Sequence, residues 1–135
     1  MSLDVPTALL ERAELGDVSD EEFVAVVRSS LPYAWHVISQ VSTEQTEQHK
    51  QDGTVEFTEH AAPPPTEADR GQLLRALASD AIRSSLERHF GVKLAFQNCH
   101  RVAAFNQSSV DSNAYQVFVS PRGQLLNQSP ELRNC

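Results

Sequence analysis

Cys99, His100 and Arg101 stand side by side, and a thiol next to an imidazole and a guanidinium is a set from which an activated nucleophile can be built. Adjacency argues against it. Neighbouring residues in a strand point to opposite faces, so Cys99 and His100 form a dyad only at a bulge or turn, and a buried structural thiol is the default for Cys99. A second set shares parity: Asn98 and His100 lie on one strand face, and Gln124, Asn127 and Gln128 reach it if the tail folds back over the sheet. Such amides suit a small ligand, and they suit the capping of loose backbone groups equally well. A third set, Tyr33, Trp35 and His36, follows Pro32 and holds the only tryptophan. A core or rim anchor is the expected role of Trp35, and a surface contact of Tyr33, Trp35 and His36 with a ligand or partner is the sharper alternative.

Spacing argues against several other chemistries. The five histidines, 36, 49, 60, 89 and 100, form neither HxxxH nor HxH, and Cys99 and Cys135 make no CxxC pair, so no metal and no cofactor is expected. The five glycines include no GxGxxG or GxxxxGK[ST] phosphate loop. A formal charge of -7 with no basic run longer than a pair argues against nucleic acid and anionic membranes, both of which need a local positive surface. No apolar stretch approaches the roughly 20 residues of a membrane span, and MSLDVPTALL lacks the features of a signal peptide, so a cytoplasmic protein with free thiols is expected.

These residues must be held by some framework, and 135 residues suffice for one domain with a core of its own, spanning 1–135. The strongest signal is a long amphipathic helix over 66–90: Leu74, Leu77, Ala78, Ala81, Ile82, Ser85, Leu86 and Phe90 recur at helical steps, Thr66 caps the start and Gly91 ends it. Asp80, Arg83 and Glu87 then form a solvent-side ion-pair ladder. Residues 6–14 read as a short helix laying Leu9, Leu10 and Ala13 on the body. Ser19 with Glu22 is a capping box that starts a helix at Asp20. Its apolar face, Phe23, Val27, Leu31, Ala34, Ile38 and Val41, continues across Pro32, so the helix is kinked or restarted there, with Ser29 or Ser30 as cap.

After Val41 the periodicity is lost in STEQTEQHKQDG, which either extends the helix as a polar, solvated tail or leaves it, and in neither case buries a face; 43–65 is expected to be a mobile polar and proline-rich connection, with a weak edge strand near Val55 and Phe57. Residues 92–97, 99–105 and 115–119 alternate and predict a three-stranded antiparallel meander. Ser120-Pro121-Arg122-Gly123 reads as a type I turn, and the tail 123–135 is expected to dock through Leu125 and Leu126. The fold class is therefore α+β, with N-terminal helices and one long central helix packed on a small antiparallel sheet.

Four phrases together, SLPYAW at 30–35, GQLLRALASDAIR at 71–83, HFGVKLAFQNCHRVA at 89–103 and GQLLNQSPELRNC at 123–135, give a chain that resembles a family of small uncharacterised cytosolic proteins from actinomycetes, chiefly streptomycetes. The resemblance covers nearly the whole chain and brings no activity, cofactor or catalytic residue with it. The functional expectation is a non-catalytic binding or regulatory accessory protein that contacts a protein or small molecule, with self-association a further option. The alternative is a small cofactor-independent enzyme, tailoring a peptide or metabolite, built around Cys99, His100 and Arg101 or around Asn98 and His100.

Overall fold

The computed structural model describes residues 2–98 and 100–126. Its organising element is a 20-residue helix, α3 (Pro32–Gln51), which touches the helices on either side of it and two strands of the sheet. Before it come α1 (Thr7–Glu14) and α2 (Asp20–Ser30); after it come a short strand β1 (Phe57–His60), α4 (Glu67–Leu77) and α5 (Asp80–Phe90), the strands β2 (Val92–Gln97) and β3 (Arg101–Asn106), a single 3₁₀ turn, and α6 (Asn113–Val119) and α7 (Pro121–Leu126). The sheet is antiparallel in the order β1-β3-β2, pairing Phe57 with Phe105 and His60 with Val102 on one side of β3, and Leu94 with Ala104 and Phe96 with Val102 on the other.

The start of α3 shows how the chain resolves the proline. Pro32 sits at the first helical position, where its missing N–H is harmless, so the helix restarts there. Neither serine caps it: the Ser30 hydroxyl accepts from the Asp4 amide and the Ser29 hydroxyl donates to the Val26 carbonyl. The cap comes from another helix. Gln72 of α4 presents Oε1 to the amides of Tyr33 at 2.7 Å and Ala34 at 3.2 Å. The capping box of α2 forms as read, with the Glu22 amide donating to Ser19 Oγ and the Ser19 amide donating to Glu22. Arg12 grips the same carboxylate through both terminal nitrogens, which ties α1 to α2; of the three residues expected to seat α1, Leu9 is half-buried while Leu10 and Ala13 are exposed.

Four expectations are corrected. The long central helix is two helices: Ser79 accepts from the Ile82 amide and so caps a new helix, and the buried set becomes Leu73, Ala76 and Leu77 on α4 and Ile82, Ser85 and Leu86 on α5, with Leu74, Ala78 and Ala81 exposed. The polar stretch after Val41 does bury a face, because α3 continues to Gln51 and Gln45, only 1% exposed, spends its amide on partners: it donates to the Val55 carbonyl and accepts from Thr58 Oγ1. Residues 115–119 are helix and not strand. Ser112 caps the Tyr115 amide, and Tyr115 and Phe118, three residues apart, both set their rings edge-on to Phe105. The proline at 121 opens α7 in place of a turn, and Leu125 and Leu126 are 72% and 67% exposed, so they dock nothing; residues 127–135 lie outside the described residues.

Both faces of the sheet are covered. Val92, Leu94, Val102 and Ala104 face the main core of α2 to α5, and Ala95, Ala103 and Phe105 face α6. Glu87 departs from its expected exposed position: it is 9% exposed and accepts the Leu94 amide at 2.8 Å, with Lys93 at 3.3 Å as its counter-ion. On the same side of β2, Gln124 donates to the Phe96 carbonyl.

Candidate functional site

The three expected sets are not gathered into one place. Tyr33 and His36, three residues apart, share one side of α3, and Trp35 leaves the helix on another. Tyr33 is half-buried, and burial, aided by the charge of Asp69, raises its pKa above the ordinary phenol value. Trp35 turns toward α2 and α5. Its ring centroid lies 5.3 Å from Phe90 and 5.7 Å from His89, and the Arg28 guanidinium stands over the ring 5.7 Å from its centroid. His36 is exposed, and its charge is felt at His60.

The β2–β3 turn carries the remaining candidates. Asn98 adopts the left-handed conformation, φ 55°, which asparagine tolerates better than most residues. His100 is 5% exposed and its Nδ1 donates to the Asn98 carbonyl at 2.9 Å, closing the turn. Arg101 is engaged at several atoms: it donates to Glu59 at 2.7 Å and to Gln97 at 3.0 Å, and its guanidinium lies 5.7 Å from the Phe118 ring. These contacts bind β1, β2 and α6 together, which is structural work. Gln124 reaches the sheet as expected and there caps backbone groups, donating to the carbonyls of Phe96 and Phe118. Cys99, Asn127 and Gln128 lie outside the described residues.

Two features were not singled out from the sequence. The first is a groove of about 280 Å³ between the second half of α3 and the end of α5, lined by Ser42, Thr43, Thr46, Glu47, Lys50, His89 and Phe90. It adjoins the Trp35 corner through His89 and Phe90, which belong to both. The Ser42 side chain is buried, lines the groove, and has no hydrogen-bond partner for its hydroxyl among the described residues. A helical signal existed for it: 35, 39, 42, 46 and 50 recur at steps of three and four, but as a polar stripe it reads as a solvated face.

The second is a histidine group at the end of β1. His60 lines a polar cleft of about 180 Å³ with Gln40, Val41, Glu44 and Glu59, and its Nε2 is buried without a partner. Burial first, then the charges of His36 and His100, lower its pKa below the ordinary imidazole value, and Glu44 opposes them. Among the described residues no three His, Cys, Asp or Glu side chains converge as a metal site requires.

The architecture is thus α+β, a three-stranded antiparallel sheet between a four-helix layer and a short helical pair, with an aromatic and cationic corner at the surface of the larger layer. The chain belongs to the NucS shadow ORF family, whose model, named with the prefix KH, matches residues 1–135. No curated protein and no solved structure shows significant similarity to it. No helix among the described residues is long and apolar enough to cross a membrane.

Proposed function

We propose that the protein is a non-catalytic binding or accessory protein that engages a protein partner through the surface around Trp35. The observation that carries this reading is the aromatic cluster itself. Trp35 packs in tilted contact with Phe90 and His89, which restrains it as an aromatic anchor, and Arg28 lies over it in a position to contact whatever docks there. Tryptophan and arginine dominate interface hot spots, because they combine large contact area with a polar handle. The enzymatic alternative draws less support, since His100 and Arg101 are engaged in closing the β2–β3 turn and holding β1. The resemblance to streptomycete proteins supports an actinomycete host, and the cysteine usage supports a cytoplasmic site of action.

The KH prefix of the family raises nucleic acid as a partner, for KH modules clamp the nucleotide backbone with a GXXG loop. This chain's glycines, at 16, 53, 71, 91 and 123, contain no such spacing, and its formal charge is -7. A protein partner is therefore the better reading. The test is affinity capture from extract of the native host with the wild-type chain and with Arg28→Ala and His89→Ala, both exposed positions whose loss leaves the core intact. Proteins that bind wild type and are lost with both variants, at unchanged circular dichroism, support the proposal; identical captured sets refute it.

A further inference from the structure

We infer that the groove beside Phe90 and the Arg28–Trp35 corner together dock an acidic peptide segment of the partner, its carboxylates held by Arg28, His89, Lys50 and the Ser42 hydroxyl. This rests on the reading of the Trp35 surface as a binding site and specifies what that surface recognises. Four observations lead to it.

Ser42 is the first. A helical serine ordinarily returns its hydroxyl to a carbonyl one turn back, and burying a hydroxyl without a partner costs free energy. Ser42 is 1% exposed, its Oγ is unpartnered among the described residues, and the residue is one of those that line the groove; its own carbonyl is already taken by Thr46 Oγ1 at 3.0 Å. A hydroxyl held this way is a donor kept for an acceptor that enters the groove.

Charge is the second. Arg12, Arg70, Arg83, Arg88, Lys93 and Arg101 all sit in ion pairs, whereas four described cations, Arg28, Lys50, Arg75 and Arg122, have none, and two of these, Arg28 and Lys50, flank the groove and the Trp35 corner. In a chain of formal charge -7, two free cations and His89 along one strip mark a surface complementary to negative charge, with Glu47 the acid that lines it. The third is shape. From Trp35 to Lys50 the strip follows α3 for about 22 Å at about 1.5 Å per residue, the reach of about six or seven residues of extended chain. The fourth is composition: apolar contact at Trp35 and Phe90 alternates with the cations, which suits a chain with sparse carboxylates between apolar side chains. A phosphodiester strand, charged at every nucleotide, would need a denser row of cations than this strip provides.

Trp35 is the only tryptophan, so its emission reports directly on the site. The full chain is titrated with a capped peptide of alternating glutamate pairs and leucines, with the same peptide carrying glutamine for glutamate, with inorganic phosphate, and with oligouridine. The acidic peptide should shift Trp35 emission saturably, with weakening by added salt, and the glutamine peptide should not. Arg28→Ala and Lys50→Ala should each weaken binding about tenfold, the scale of an interface hot spot. Ser42→Ala separates binding from structure: it should weaken peptide binding while leaving the melting temperature equal or higher, because it deletes a buried unpaired hydroxyl. No emission change with the acidic peptide, equal response to the glutamine peptide, saturation by phosphate alone, or preference for oligouridine each overturns the inference. If Arg28→Ala and His89→Ala still lose a native partner in such a case, the surface is a binding site for some other chemistry. If they lose none, both readings fall together.

Discussion

Replacing Gln72 by alanine removes a cap from a helix to which Gln72 does not belong. Its Oε1 takes the amides of Tyr33 and Ala34 at the start of α3, and the two serines that precede Pro32 are committed elsewhere, so nothing nearby can substitute. A lost cap costs about 0.5–2 kcal/mol and a lost hydrogen bond about 1 kcal/mol. Ala34 is fully buried, which limits rescue of its amide by water. Gln72→Ala should therefore cost about 1.5 kcal/mol, lowering the melting temperature by about 5 °C and the urea midpoint by about 0.7 M at unchanged slope. Gln72→Glu is the diagnostic partner. It keeps the acceptor and places negative charge at the positive end of a 20-residue helix, so at neutral pH it should stay within about 0.5 kcal/mol of wild type. An unmoved midpoint in Gln72→Ala, or a loss in Gln72→Glu as large as in Gln72→Ala, would refute the account of α3 as a helix capped from outside.

Three further expectations follow from the packing and the ionisable groups. Ile82→Ala should cost about 2–5 kcal/mol in urea unfolding, the range for emptying a core site, whereas Leu74→Ala, at a position 38% exposed, should cost far less; near-equal losses would place the wrong face of the split helix in the core. His60 should make stability fall with acidification. Its folded pKa lies below the ordinary 6.5, so the unfolded chain takes up the proton first, and the contribution is complete above about 6.5 and lost as pH falls through the folded value. His60→Gln should flatten that limb between about pH 7 and 5, and a profile indistinguishable from wild type would remove the argument. Glu22 acts lower on the scale: hydrogen bonds from Arg12, then from the Ser19 amide, hold its pKa down to about 2 against an ordinary 4.5, so its contribution is present above 4.5 and lost toward 2. NMR titration of its carboxyl carbon with a midpoint near 4.5 would contradict the Arg12 contact.

The parts of the fold read correctly from the sequence are those where a side chain bonds its own neighbourhood. Ser19 with Glu22, Thr66 with the Asp69 amide, and the left-handed Gly91 each complete a local structure within a few residues. One failure is local: Ser79 looks like one polar residue in a helical run, yet it accepts from the Ile82 amide three residues on, and Asp80 beside it begins α5. The others arise because distance in sequence hides the partner. Tyr115, Val117 and Val119 alternate as a strand should, and their helix is selected by the Phe105 ring on β3. Gln45 is a buried residue with a surface composition, permitted because Val55 and Thr58 satisfy its amide. The candidate surface was half legible: Trp35 and its neighbours drew attention as types, but Arg28, His89 and Lys50 join it only through the packing of α2, α3 and α5.

The contacts that Glu87 and Gln124 make along β2 bear on how copies of this chain behave together. β2 is an outer strand of the sheet, and an outer strand with unpaired amides and carbonyls is a template onto which another chain can hydrogen-bond. Here the Leu94 amide is taken by a buried carboxylate and the Phe96 carbonyl by a side-chain amide. An incoming strand would have to displace both and leave Glu87 with only Lys93 as a partner. Sheet-to-sheet growth along β2 is thereby discouraged at its first hydrogen bond.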